Sequence, residues 1–70
     1  MFYKHQEVPH NNVAPIRKVN RITQADLAET VGVTRQTIIA IEKGNYTPSV
    51  VLAIKLAKNL GKRVEELFWL

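Results

Sequence analysis

The segment TQADLAETVGVTRQTIIAIEKG, residues 23–44, leaves its backbone little choice. Thr23 and Thr34 each stand directly before a run of good helix formers, where a hydroxyl accepts an N–H of the first turn and starts a helix. Asp26, three residues after Thr23, adds a capping-box-like partner. Between the two runs lies Gly32, the residue type that most readily takes the left-handed conformation ending a helix. Leu27, Ala28 and Val31 recur at helical spacing in the first run, and Ile38 and Ile41 in the second. The spacing predicts two short helices, joined by a tight glycine turn and sharing an apolar seam that also takes in Val33.

The rest of the chain reads the same way. NNVAPIRKVNRI is expected to form a helix capped by Asn11 or Asn12, with Pro15 in the first turn, where its missing N–H costs little. Ile16 and Val19 fall on one face of it and Arg17 and Arg21 on another. The loop NYTP leads to Ser49, a cap for VVLAIKLAKNL, which Gly61 closes. RVEELFWL is expected to form a short fifth helix, with Glu65 and Glu66 in its first turn, where they suit the helix dipole. No strand-type alternation is sustained and no repeat is present. The fold class is therefore all-α: five short helices over residues 11–70, preceded by an arm, residues 1–10. Seventy residues make one small domain whose core is marginal.

The second helix of the 23–44 unit has an unusual start. Acids are favoured at a helix N-terminus, yet Thr34 is followed by Arg35 and Gln36. Ile38 and Ile41 define its buried side; Gln36, Ala40 and Lys43 lie opposite, flanked by Arg35 and Ile39. Taken singly, Arg35, Gln36 or Lys43 is as readily a solvated side chain as a ligand-binding one. The joint pattern of two caps, a glycine turn, an apolar seam and a polar outward face favours a helix-turn-helix that reads DNA. Arg pairs with guanine and Gln with adenine in the major groove, an aliphatic group meets a thymine methyl, and a small residue permits close approach. The net charge of +4 and pI near 9.8 suit a polyanionic partner, though only modestly.

The stretch ITQADLAETVGVTRQTIIAIEKGNYTPS resembles the lambda-repressor/Cro-type helix-turn-helix family (XRE family) of bacterial and phage regulators. The likeness runs from about Asn11 to Phe68 and is greatest to compact stand-alone members of the cytolysin-operon repressor kind. The resemblance implies a five-helix domain with helices 2 and 3 as the DNA-binding unit. It places Arg35, Gln36, Ile39 and Ala40 at base edges, and Gln24, Thr34, Thr37, Lys43 and Asn45 at phosphates. It makes Arg17 and Glu42 an internal, structural ion pair. The chain departs from the family pattern at Pro15, at Lys62 where an aliphatic residue is usual, at Arg63 where a Ser, Thr or Asp cap is usual, and at Ile39 where many members carry a polar residue.

Other classes of function find little support. There is no cysteine, hence neither disulfides nor thiolate metal sites. His5 and His10 lie in the arm without further ligands, a weak metal signal. No Ser/His/Asp or Cys/His set exists, so no enzyme and no cofactor is expected. No apolar run approaches the ~20 residues of a membrane span, and the first ten residues lack the apolar stretch of a signal peptide. A cytoplasmic location is expected, and no small-molecule effector is evident.

Helix 4 carries one apolar stripe, Val50, Ala53, Leu56, Ala57 and Leu60, yet Val51, Leu52 and Ile54 add apolar groups elsewhere. A helix apolar nearly all round is buried all round. With Phe68, Trp69 and Leu70 at the C-terminal end, Ile54 marks an expected homodimer interface; the alternative is that Trp69 folds back onto its own core. The expected function is thus a homodimeric, sequence-specific repressor of transcription that binds a palindromic operator in double-stranded DNA. The rival is an antitoxin or other protein-interaction module with autoregulatory DNA binding.

Overall fold

A computed structural model describes residues 7–70 of the chain. In order these form β1 (His10–Asn11), α1 (Val13–Val19), α2 (Gln24–Val31), α3 (Arg35–Glu42), α4 (Val50–Leu60), α5 (Val64–Leu67) and β2 (Phe68–Trp69). Each of the three central helices starts on a hydroxyl. Thr23 Oγ1 accepts the Asp26 N–H, Thr34 Oγ1 that of Thr37, and Ser49 Oγ that of Leu52, at 3.0, 3.2 and 3.1 Å. A hydroxyl at this position satisfies one of the donors that a helix start leaves orphaned. Gly32 ends α2 at φ 80°, where a side chain would crowd the neighbouring carbonyl. That reversal lets the Val33 N–H return to the Ala28 carbonyl at 2.9 Å, and α3 sets off across α2.

One apolar cluster holds the helices together. Leu27, Ala28 and Val31 of α2 meet Ile38 and Ile41 of α3, Leu52, Leu56, Ala57 and Leu60 of α4, Val13 of α1 and Leu67 of α5. Ile16, Ile22, Val33, Val64 and Phe68 pack around it, half-buried. The α2 and α3 stripes are those expected. The α4 stripe is turned by part of a helical turn. Leu52 is buried in the core cluster whereas Val50, in the first position of the helix, is 75% exposed. Val19, at the end of α1, is exposed and does not share the burial of Ile16.

The C-terminal segment departs from the helical expectation. The Leu67 carbonyl accepts the Asn12 N–H at 2.9 Å. The chain then leaves the helix, extended at Phe68 (φ −130°, ψ 137°), and pairs antiparallel with β1, His10 opposite Trp69 and Asn11 opposite Phe68. Phe68 and Trp69 therefore belong to a strand and not to a fifth helix that continues to the terminus. The last part of the arm and the first residue of the expected helix 1 likewise form a strand. Two-residue strands carry no sequence alternation, so this pair left no periodic signal. The arm residues 1–6, His5 among them, lie outside the described residues. Arg63 starts α5 without a side-chain cap. Instead its own N–H donates to Glu66 Oε1 at 2.9 Å, and that bond is the main cause holding the Glu66 carboxyl below the usual range.

Asn11 joins the first turn of α1 to the last turn of α3. Its Oδ1 accepts the Val13 N–H at 3.1 Å and its Nδ2 donates to the Ile41 carbonyl at 2.9 Å. Arg17, one turn further on, carries a charge into the interior with a side chain 10% exposed. Its Nε donates to Glu42 Oε2 at 2.7 Å and its Nη2 to Glu42 Oε1 at 3.2 Å, while Nη1 donates to the Ile22 carbonyl at 2.9 Å. Removing one partner of such a pair strands the other's charge. Glu42→Ala is expected to lower stability by roughly 3–5 kcal/mol, and Glu42→Gln, which keeps an acceptor, by less. Urea unfolding followed by circular dichroism measures this; a Glu42→Ala midpoint equal to that of the wild type would mean the pair does not hold the fold.

Candidate nucleic-acid interface

The outward face of α3 follows from which of its residues the core takes. Ile38 and Ile41 are 0% and 1% exposed. One helical turn places Arg35, Gln36, Ile39, Ala40 and Lys43 on the opposite arc. Arg35, Gln36 and Lys43 are exposed, and Ile39 and Ala40 are half-buried between them. The face thus starts with a guanidinium and an amide, passes over an aliphatic and a small residue, and ends on an ammonium. Among the described residues the ion pairs are Arg17–Glu42 and Arg63–Glu66, so the charges of Arg35 and Lys43 are free for a ligand.

Both ends of α3 are fixed from within the protein. At the start, the Thr37 hydroxyl lies 3.0 Å from that of Thr34, which already accepts the Thr37 N–H. One of the two hydroxyls donates to the other, and the second retains a proton to offer outward. At the far end the helix turns off through Gly44, φ 75°, and the Asn45 N–H returns to the Ala40 carbonyl at 2.9 Å. Asn45 and Lys43 are exposed beside this turn.

Gln24 stands at the start of α2, as the Thr23 cap predicts, but makes a bond that its sequence context did not indicate. It opens α2, half-buried, and its Nε2 donates to Glu42 Oε1 at 2.9 Å. The carboxylate of Glu42 therefore receives three donors, two from Arg17 and one from Gln24, and binds α1, α2 and α3 at one point. No spacing rule connects residues so far apart, so this third partner was not legible beforehand. The bond leaves Gln24 its carbonyl oxygen and a second N–H. A shallow cleft lined by Arg17, Lys18, Thr23, Gln24, Ala25, Arg35 and Glu42 runs between these helices. Within it the positive charge of Arg17 is neutralised by Glu42, so Lys18 and Arg35 are its free cations.

The other residues singled out from the sequence lie on other elements. Ile54 is 43% exposed on α4, Trp69 44% and Leu70 82% at the C-terminal end, while Phe68 is half-buried against the core. The Trp69 ring does not fold into that core. It lies against His10 of β1, with ring centroids 6.0 Å apart and a 31° tilt. His10, Lys43 and Trp69 line a second shallow groove with Val8, Pro9 and Gly44. No helix among the described residues is long and apolar enough to cross a membrane.

Comparison with known proteins agrees with this geometry. The helix-turn-helix family model matches residues 16–67. The HTH-type transcriptional regulator YgzD of Bacillus subtilis is 50% identical over 60 residues, covering 86% of this chain and 91% of its own. An HTH-type transcriptional regulator of Methanocaldococcus jannaschii is 52% identical over 58 residues, 83% of this chain and 88% of its own. Among solved structures, the restriction-modification controller protein C.AhdI of Aeromonas hydrophila superposes with a TM-score of 0.72 at 28% identity, over 77% of this chain and 82% of that one. The clp gene regulator ClgR of Corynebacterium glutamicum shares the fold, with a TM-score of 0.73 at 24% identity over 77% of this chain and 57% of its own. With the family pattern running from within α1 to the end of α5 and the outward face of α3 left open, the chain belongs to the helix-turn-helix transcriptional regulators of the Cro/C1 type.

Proposed function

We propose that the protein is a sequence-specific repressor that binds a palindromic operator as a homodimer, with α3 of each protomer in the major groove. The observation that carries this reading is the free, exposed Arg35–Gln36 pair at the start of a helix whose opposite face is wholly buried. The N-terminal residues of a recognition helix are the ones that reach base edges. Arg35 is the reader of guanine and Gln36 of adenine, with Ile39 and Ala40 against thymine methyls. Thr34, Thr37, Lys43, Asn45 and the second N–H of Gln24 hold the phosphates and set the register. Such a regulator works in the cytoplasm on double-stranded DNA and needs neither cofactor nor small-molecule effector for the binding itself.

Two copies are called for by arithmetic. One helix reads a few base pairs, too few to single out a site among ~10⁶ or more competitors. Two related by a twofold axis read half-sites about one helical turn apart. Ile54, Trp69 and Leu70 are exposed apolar groups that support an isologous contact, and Phe68, half-buried against the core, adjoins Trp69 in β2. Occlusion of a promoter by such a dimer is repression.

Duplexes selected from a random pool test the specificity. Arg35→Ala and Gln36→Ala are expected to leave the fold intact and each to cost roughly 1–3 kcal/mol on the selected site, with relaxed preference at one position per half-site. Equal losses on selected and random duplex would remove the base-reading role. The assembly is tested by sedimentation at micromolar concentration. The wild type is expected to run as a dimer, and a Trp69→Ser, Leu70→Ser double variant as a folded monomer that binds a half-site weakly. A wild type that sediments at the 8.0 kDa of one chain overturns the proposed interface.

A further inference from the structure

Arg21 has a backbone conformation that an arginine disfavours. It lies in the turn between α1 and α2 at φ 57°, the one residue other than glycine with positive φ among those described. In that region the Cβ crowds the following carbonyl, and glycine or asparagine is the easier occupant. The turn itself is well made: the Arg21 N–H donates to the Lys18 carbonyl at 3.0 Å and the Ile22 N–H to the Arg17 carbonyl at 3.1 Å. These bonds use only backbone, so the side chain contributes nothing to the turn. It is exposed, forms no side-chain hydrogen bond and has no carboxylate partner among the described residues. The fold thus carries a strained residue whose side chain does no structural work, and strain of this kind points to use elsewhere.

The location indicates the use. Arg21 stands between Lys18, to whose carbonyl it is bonded, and Thr23. Both of those line the cleft that Arg35 also lines. With α3 filling a groove about 12 Å wide, elements alongside it face the phosphate walls and not the bases. Lys18 lines the cleft and Arg21 stands in the turn that follows it, neither of them in an ion pair among the described residues, whereas Arg17 of the same cleft is neutralised by Glu42. We propose that Arg21 is a further phosphate-binding residue of the DNA interface, acting with Lys18 from the α1–α2 turn, and that it accounts for the strain at this turn. The inference rests on the DNA-binding reading above and extends its footprint from α2 and α3 to the end of α1.

The two consequences of one substitution have opposite signs. Arg21→Gly removes the strain and the charge together. It is expected to raise the melting temperature, by a shift on the order of 5 °C, and to weaken binding to selected and random duplex alike. One lost phosphate contact lowers the slope of log K against log salt by about 0.9, which is roughly an eightfold loss at 0.1 M salt. Arg21→Lys keeps the charge and should retain most of the affinity and the full slope. Binding by fluorescence anisotropy across a salt series, with Arg35→Ala in parallel, separates the two readings. If Arg35→Ala loses site preference while Arg21→Gly binds with wild-type affinity and slope, this inference falls and the DNA-binding reading stands. If the wild type binds no duplex, both fall. A loss in Arg21→Gly confined to the selected site would also overturn it, since a phosphate contact is blind to sequence.

Discussion

The carboxylate of Glu42 is the point from which the remaining geometry hangs. It sits at the end of α3 and receives two donors from Arg17 of α1 and one from Gln24 of α2. Apolar packing fixes how closely these helices approach, but it is tolerant about rotation and slide. Directional bonds in a shielded site are not. With side chains 10% and 7% exposed, Arg17 and Glu42 have little water to replace each other. Every buried polar side-chain atom among the described residues has a partner, so the network is complete and specifies one arrangement of the three helices.

That arrangement matters because the outward face of α3 must present itself in one orientation. Its far end is held by Glu42 from α1 and α2, and by Asn11, which bonds the Ile41 carbonyl. Its near end is held by the Thr34 cap. A helix fixed at both ends loses little freedom on meeting a ligand, and the contacts it makes then count more fully toward affinity. The same bonds neutralise Glu42, an acid on the helix that carries Arg35. Its charge is already met by Arg17 in bidentate geometry.

Most of the helical frame was legible in the sequence because it is written in local rules. Thr23, Thr34 and Ser49 announce helix starts, Gly32 and Gly61 announce ends, and Leu27, Ala28, Val31, Ile38 and Ile41 announce the inward faces. What was illegible is what depends on distant partners. The β1–β2 pair joins the two ends of the described chain through two residues each, too few for a period. The Gln24–Glu42 bond depends on a crossing angle that no spacing encodes. Trp69 was conspicuous in composition, yet its contact with His10 follows only from the strand register. Helical spacing puts Arg21 on a face with Arg17, but α1 ends at Val19 and Arg21 lies in the turn beyond it with positive φ. The roles of Arg17 and Glu42 came from resemblance to a family and not from the residues themselves.

The placement of charge completes the physical logic. The net charge of +4 is modest, but its distribution is not uniform in availability. Arg17 is neutralised inside and Arg63 is paired with Glu66 at the surface. Lys18, Arg35 and Lys43 are exposed and free on and beside α3, and the cleft between α1, α2 and α3 collects two of them. A small domain cannot hold a polyanion by total charge alone once salt screens it over ~8 Å. Lys55, Lys58 and Lys62 are as free on and after α4, so what distinguishes the α3 side is position: Lys18, Arg35 and Lys43 stand on or beside a helix that the buried Arg17–Glu42 pair holds in place.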